Sequence, residues 1–230
     1  MGHHACMNVI GERHMKKDNI IIRYMIFLIG LFIASMGVAF STKAGLGTSP
    51  VASLPYSVSL VSDAISFGGW LNTLSVIQII AQVLILRKAC KPVEIAIQTV
   101  LAFAYGSMTN FSCYLIRGIP VNNYLSQFVV MLLGCAILAF GIWVQLKGGV
   151  AMLPGEAMSR AIAQVSGRRY ENVKIFFDVA YILAAAAVCL LFLGHLEGVR
   201  EGSIIAAVLV GNIIKFYNRI WEKIGPKSEK

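Results

Sequence analysis

Residues 24–42 contain no charge over 19 consecutive positions. A helix needs about 20 residues to cross the hydrocarbon core of a bilayer. This run follows a basic flank, and Ala39-Phe-Ser41 is a weak cleavage pattern. The length still favours an uncleaved first membrane helix over a signal peptide, whose apolar part is shorter. Five further runs have the same character. Residues 65–86, 95–116 and 121–146 are uncharged, 175–194 hold one charge, Asp178, and 202 to about 217 hold Lys215 near their end. Residues 48–63 and 153–167 each begin near a proline and read as helices too short and too polar for a full crossing.

Charge and composition bear this out. Only 13% of residues are charged and 57% are hydrophobic, against about 25% charged in soluble domains. The net charge of +9 falls in clusters between the apolar runs. That is the pattern of membrane topology, not of a basic face that binds nucleic acid. With six crossings and both termini cytoplasmic, all but three of the 20 basic residues lie inside; Lys43, Arg117 and Arg200 are the exceptions. Eight crossings would put Arg87, Lys88 and Lys91 outside, against the positive-inside rule. The five cysteines (Cys6, Cys90, Cys113, Cys135, Cys189) are scattered, without C-x-x-C or zinc spacing, and read as buried free thiols. His3, His4 and His14 are too loosely set for a metal site. No metal and no cofactor are expected.

A repeat organises these runs. Residues 28–62 and 132–166, offset by 104, share nine of 35 positions, among them Gly30/Gly134, Gly37/Gly141, Lys43/Lys147, Gly45/Gly149 and Pro50/Pro154. Gly30 and Gly37 lie two helical turns apart, as do Gly134 and Gly141, and each pair clears a strip for close packing against another helix. Gly106 and Phe111 match Gly211 and Phe216 after a one-residue slip. Each half is then three crossings plus one short helix. An odd number of crossings inverts the second half. The expected fold class is an all-α membrane protein with six transmembrane helices in two inverted three-helix repeats, each with a short broken or re-entrant helix, as in many transporters. The segments are a leader over 1–19 expected to be disordered, repeats over 20–117 and 118–220, and a basic cytoplasmic tail over 221–230. Met15 is an alternative natural start to Met1.

The breaks carry the candidate substrate-binding residues. In the first, Gly45 and Gly47 permit a sharp turn, Thr48 and Ser49 are helix-capping types, and Pro50 suits a first turn. A helix N-terminus facing Lys43 makes a small anion site; the alternative is that Lys43 only reaches to the interface. In the second break Lys147, Gly149 and Pro154 recur, and Glu156 occupies the first helical turn, where it suits the positive helix end. Glu156 and Arg160 are an i, i+4 pair, on a solute path or on the interface. Asp178 is an acid inside an apolar run, which places it in a solute or proton path or in a salt bridge to Lys174. Asn110 and Asn212 lie beside Gly106 and Gly211 and join the candidates. Gln78, Gln82, Asn72 and Gln98 read as interhelical hydrogen-bond formers. No phosphate-binding loop, H-E-x-x-H or catalytic triad is present in the sequence, so no catalytic residue is assigned and an enzyme is not expected.

Gly45-Leu-Gly-Thr-Ser-Pro50, the weaker Gly149-Val-Ala-Met-Leu-Pro154, and the stretch from Arg200-Glu-Gly-Ser203 to Gly211 resemble the YczE/YyaS/YitT group of bacterial integral membrane proteins. The likeness runs from about residue 20 to 220. Here Ala151 replaces the group's second glycine and Glu156 takes its acid position. The resemblance implies a multi-pass protein of the bacterial inner (plasma) membrane. Two functions fit: a secondary transporter or exporter of a small solute, with anions among the candidates, or a substrate-binding or accessory subunit without catalysis of its own. The expected partners are the lipid bilayer and a small-molecule or ion substrate, not nucleic acid, with a homo-oligomer left open.

Overall fold

The helix-breaking residues named above divide the chain where expected. The computed structural model describes residues 20–87 and 92–224, and the side chains to Trp221. The leader with Cys6 and its histidines, Lys88, Cys90 and Lys91, and most of the basic tail lie outside the described residues. Those described form eight helices and no strand: α1 (Ile20–Lys43), α2 (Pro50–Val61), α3 (Phe67–Leu86), α4 (Pro92–Leu115), α5 (Tyr124–Gly148), α6 (Pro154–Ser166), α7 (Tyr170–Phe192) and α8 (Glu201–Ile224). Prolines open α2, α4 and α6, where a missing N–H leaves no bond unmade. Gly45 and Gly149, equivalent in the repeat, both sit in the left-handed region, at φ 68° and 56°. Gly47 adds a second such turn at φ 107°. Its counterpart Ala151 does not, so the second break has lost one of the two conformations that favour glycine.

Five helices, α1, α3, α5, α7 and α8, are long and apolar enough to cross a membrane. The sequence expectation included residues 95–116 as a sixth. These form most of the 24-residue α4, which has the length but not the apolarity. Its polar residues Gln98, Thr109 and Ser112 are buried, while Val100, Phe103, Phe111 and Leu115 face outward. Helix α8 runs seven residues past the expected end at Tyr217.

The repeated glycines find one another. Helices α1 and α5 cross antiparallel, with Gly30 opposite Gly141 and Gly37 opposite Gly134. A Cβ on Gly30 would stand 2.8 Å from the Gly141 carbonyl oxygen, and one on Gly134 would stand 3.0 Å from that of Gly37. Backbones this close gain dense dispersion contacts, which with interhelical hydrogen bonds drive association where lipid removes the hydrophobic difference. Gln145 adds one such bond, from Nε2 to the Gly30 carbonyl at 3.3 Å.

The other long helices are arranged about this pair. Helix α4 runs parallel to α1, joined by Ser35 and Ser112 hydroxyls 2.9 Å apart. Helix α3 runs antiparallel to α4 through Gly68 and Gly106. Helix α8 runs parallel to α5, with Trp143 of α5 donating to Asn218 Oδ1 at 3.0 Å. Large apolar side chains such as Ile77, Leu84, Leu133, Leu183 and Leu191 point outward. Each would be unfavourable in water by up to about 2–3 kcal/mol and is at ease in hydrocarbon.

Arg23 ties the start of α1 to the end of α5. Its Nε donates to the Gly148 carbonyl and its Nη2 to the Gly149 carbonyl, both at 2.9 Å. These are carbonyls that α5 cannot satisfy itself. Arg23→Ala is expected to destabilise the bundle by about 1–3 kcal/mol. Arg23→Lys is expected to recover only part of this, since an ammonium lacks the planar fork. Thermal unfolding in detergent checks both; equal midpoints for all three proteins would refute the assignment.

Candidate functional site

The two short helices decide where polar chemistry sits. Gly155, in the first turn of α6, lies against the side chain of Gln78, and a Cβ there would be 3.3 Å from Gln78 Nε2. Gln78 is near the middle of α3 and donates to the hydroxyl of Tyr181, near the middle of α7, at 2.8 Å. Helix α6 therefore starts at mid-depth of the bundle and runs out to the turn that begins α7. Helix α2 behaves likewise at the other end. Ala52, in its first turn, packs with Ala34, Val38, Leu71 and Leu138 of the central helices. Farther along, the Tyr56 hydroxyl donates to the Thr42 carbonyl at 3.3 Å. Both N-termini, the positive ends of the helix dipoles, lie at mid-depth.

Around the start of α6 the charged residues gather. Lys174 and Asp178 form an i, i+4 ion pair on α7 at 2.5 Å, with side chains 28% and 27% exposed. Glu156 of α6 feels Lys174, Arg160 and Asp178, and it acts in turn on Tyr170. It is half-buried and makes neither a hydrogen bond nor an ion pair among the described residues. Burial pushes its carboxyl above the ordinary carboxylate range, Lys174 and Arg160 pull it down, and Asp178 pushes it up again. On the α3 side Gln78 and Gln82 line one buried face a turn apart. The antiparallel register puts Gln98 of α4 level with the turn that holds Gln78. Gln82 and Gln98 each keep a buried carboxamide oxygen without a partner among the described residues, an arrangement rare in folded proteins. The set offers acceptors, one committed lysine and a surplus acid.

Of the residues singled out in the sequence, the structure places Glu156 within electrostatic reach of Asp178, with Pro154 starting the helix that carries Glu156. Lys147 points elsewhere: its ammonium lies 5.3 Å and 5.1 Å from the ring centroids of Trp143 and Trp221. Gly149 ends α5 and is held by Arg23. Lys43 donates to the Arg117 carbonyl at 3.1 Å, so its ammonium serves the end of α4. Asn110 caps α3, accepting from Gly68 N at 2.8 Å and donating to Ser66 Oγ at 2.8 Å. Asn212 is exposed on α8, and Gly211 has nothing within 4 Å of its would-be Cβ, unlike Gly106. The expected match of α4 with α8 therefore does not extend to that contact.

The first break is packed into the start of α8. Gly202 N donates to the Leu46 carbonyl at 2.9 Å, and Gly47 lies against Ser203. Thr48 is fully buried there and its hydroxyl has no partner among the described residues; the same holds for Ser57 and Ser203. Ser49 precedes α2 without a side-chain cap, and Pro50 opens it. Tyr181, Tyr170 and the stacking of Gln78 on Gly155 were not singled out from sequence. The positions 170, 174, 178 and 181, one face of a helix, were the available signal. No group of three or more His, Cys, Asp or Glu that could hold a metal occurs among the described residues. A cleft of about 390 Å³ between α1 and α4 is lined by Tyr24, Leu28, Ile97, Leu101 and neighbouring apolar residues, and has no polar group placed for recognition.

Several long apolar helices around a buried polar centre, with outward-facing leucines and isoleucines, define a multi-pass membrane protein. The chain belongs to the DUF6198 family, a family of unknown function, whose model matches residues 21–219. It is similar to the uncharacterized protein YyaS of Bacillus subtilis, 28% identical over 148 residues, covering 64% of this chain and 71% of the relative. It is also similar to the uncharacterized membrane protein YczE of the same organism, 21% identical over 202 residues, covering 87% of each. No solved structure matches significantly.

Proposed function

We propose that this chain is a secondary transporter of a small solute in the bacterial inner membrane, built from two inverted repeats of three crossings, with both termini cytoplasmic. The observation that carries the reading is the pair of short helices whose N-termini reach mid-depth. Half-helices ending at the centre, in matching positions of two halves, are how many transporters build a solute site without exposing backbone to lipid. The antiparallel meeting of Gly30 with Gly141 and of Gly37 with Gly134 supports the inverted relation. So does the shared placement of α4 beside α1 and of α8 beside α5. The burial of α4's polar residues against α1 and α3 favours counting it as a sixth crossing. The solute path passes Glu156, Lys174, Asp178, Gln78 and Tyr181. The positive half-helix ends keep an anionic solute among the candidates.

A thermal-shift screen against small metabolites identifies a ligand, since binding to the folded state raises its stability. Uptake of that ligand into proteoliposomes then tests the reading. Saturable uptake above that of empty liposomes is expected, lost in Asp178→Asn and retained in Lys43→Ala, whose ammonium caps α4. Binding without uptake would overturn transport. It would favour the alternative, a substrate-binding or accessory subunit, and co-purifying ATPase subunits from native membranes would identify its complex.

A further inference from the structure

We propose that Glu156 is a proton-carrying residue and that the proton is the ion exchanged at the α6 site. The exchange rests on the transport reading; the protonation of Glu156 does not. Among the described residues the geometry is one of two acids, one committed cation and one exposed cation that forms no pair. Arg160 on the same helix is exposed and forms no ion pair with Glu156. From α7, Lys174 and Asp178 act on its charge and it acts in turn on Tyr170, and Lys174 is already paired with Asp178. Among the described residues, α3 brings the Gln78 carboxamide against Gly155, the residue before Glu156, and no charged group of α4 acts on Glu156. Glu156 is thus the acid left over, and a neutral carboxyl is the form such a site holds most readily.

Deprotonation has a structural consequence. When Glu156–COOH gives its proton to water and becomes the carboxylate, Lys174 is drawn between two anions. Its bond to Asp178, on its own helix, is then shared with one across to α6. The charge on Glu156 thereby alters the contact between the half-helix and α7, the two elements that border the proposed path. A proton taken up from one side and released to the other restores the first state, so the cycle balances without any other reactant.

Infrared titration of the full chain in lipid nanodiscs tests this. An ordinary glutamate titrates near about 4.3. Here the carbonyl band of a protonated carboxylic acid is expected to persist well above that, to vanish in Glu156→Gln and to remain, with a changed midpoint, in Glu156→Asp. In Asp178→Asn the freed lysine and the lost negative neighbour both favour the Glu156 anion, so the midpoint moves to lower pH. In Lys174→Met it moves higher. A band that survives Glu156→Gln unchanged, or a midpoint indifferent to Asp178→Asn, overturns the proposal. Proteoliposomes separate the two possible failures. Absence of flux under any gradient with the band intact overturns transport alone. Flux indifferent both to an imposed pH gradient and to Glu156→Gln overturns proton exchange.

Discussion

Gly141→Val is expected to remove most of the folded protein. A Cβ at Gly141 would meet the backbone nitrogen of Ala34, and would stand 2.7 Å from Ala34 Cα and 2.8 Å from the Gly30 carbonyl oxygen. All three are backbone atoms of α1, so no side-chain rotation relieves the overlap. The two central helices must separate, and with them the contacts of α4 and α8. Overpacking of this kind costs about 3 kcal/mol or more, a large share of the stability of a chain this size. Gly106→Val is expected to act similarly, since its Cβ would press on the Gly68 carbonyl oxygen and on Asn72. Gly211→Val is the control, because open space surrounds that position; a change within about 0.5 kcal/mol is expected. Monodisperse yield by size-exclusion chromatography, followed by thermal unfolding, reads all three. Equal behaviour of Gly141→Val and Gly211→Val would refute the central packing.

Lys174→Met is expected to have the second largest effect. It leaves Asp178 and Glu156 facing each other with no close cation on α7. Pairs exposed to water contribute up to about 1 kcal/mol and breaking a buried pair costs about 3–5. With its side chains 28% and 27% exposed, this pair falls between them, at about 2–3 kcal/mol. Lys174→Met/Asp178→Asn removes both charges and is expected to regain most of that loss, because what destabilises is the unpaired acid rather than the missing bond. A double-mutant cycle on unfolding midpoints measures the coupling. A double variant no more stable than Lys174→Met would show that the lysine acts by packing instead.

Much of the fold was legible in the sequence for simple reasons. Length without charge marks a membrane helix, and glycine with proline marks its end, so the boundaries of α1, α2, α5 and α6 fell within a few residues of expectation. The glycine register at Gly30, Gly37, Gly134 and Gly141 pointed to close packing because small residues two turns apart, repeated in both halves, clear a strip on one helix face. The partners in that packing were not legible: each strip offered a face to some other helix, and only the folded chain made that helix the one with the other strip. Helix α4 shows the opposite limit. Its polar residues lowered its hydropathy, and their burial against α1 and α3 became apparent only from the three-dimensional arrangement.

The candidate site divides in the same way. Asp178 stood out in sequence because a lone acid in an apolar run is unfavourable unless it is enclosed, and Glu156 because it opens a helix beside a repeated proline. Lys43 and Lys147 stood out equally, as repeat partners, yet one caps the end of α4 and the other lies over Trp143 and Trp221. A lysine has a long flexible stem, so its sequence position leaves the place of its charge open. Local sequence was enough to mark the helical segments and the glycine-proline breaks between them, since those follow from backbone sterics and the hydration of neighbouring residues, though it counted α4 as apolar as the other five. That the short helices start at the middle of the bundle, and that Glu156 lies within reach of the charges of Lys174 and Asp178, came from the folded chain alone, because both depend on how α3, α6 and α7 pack across large separations in the sequence.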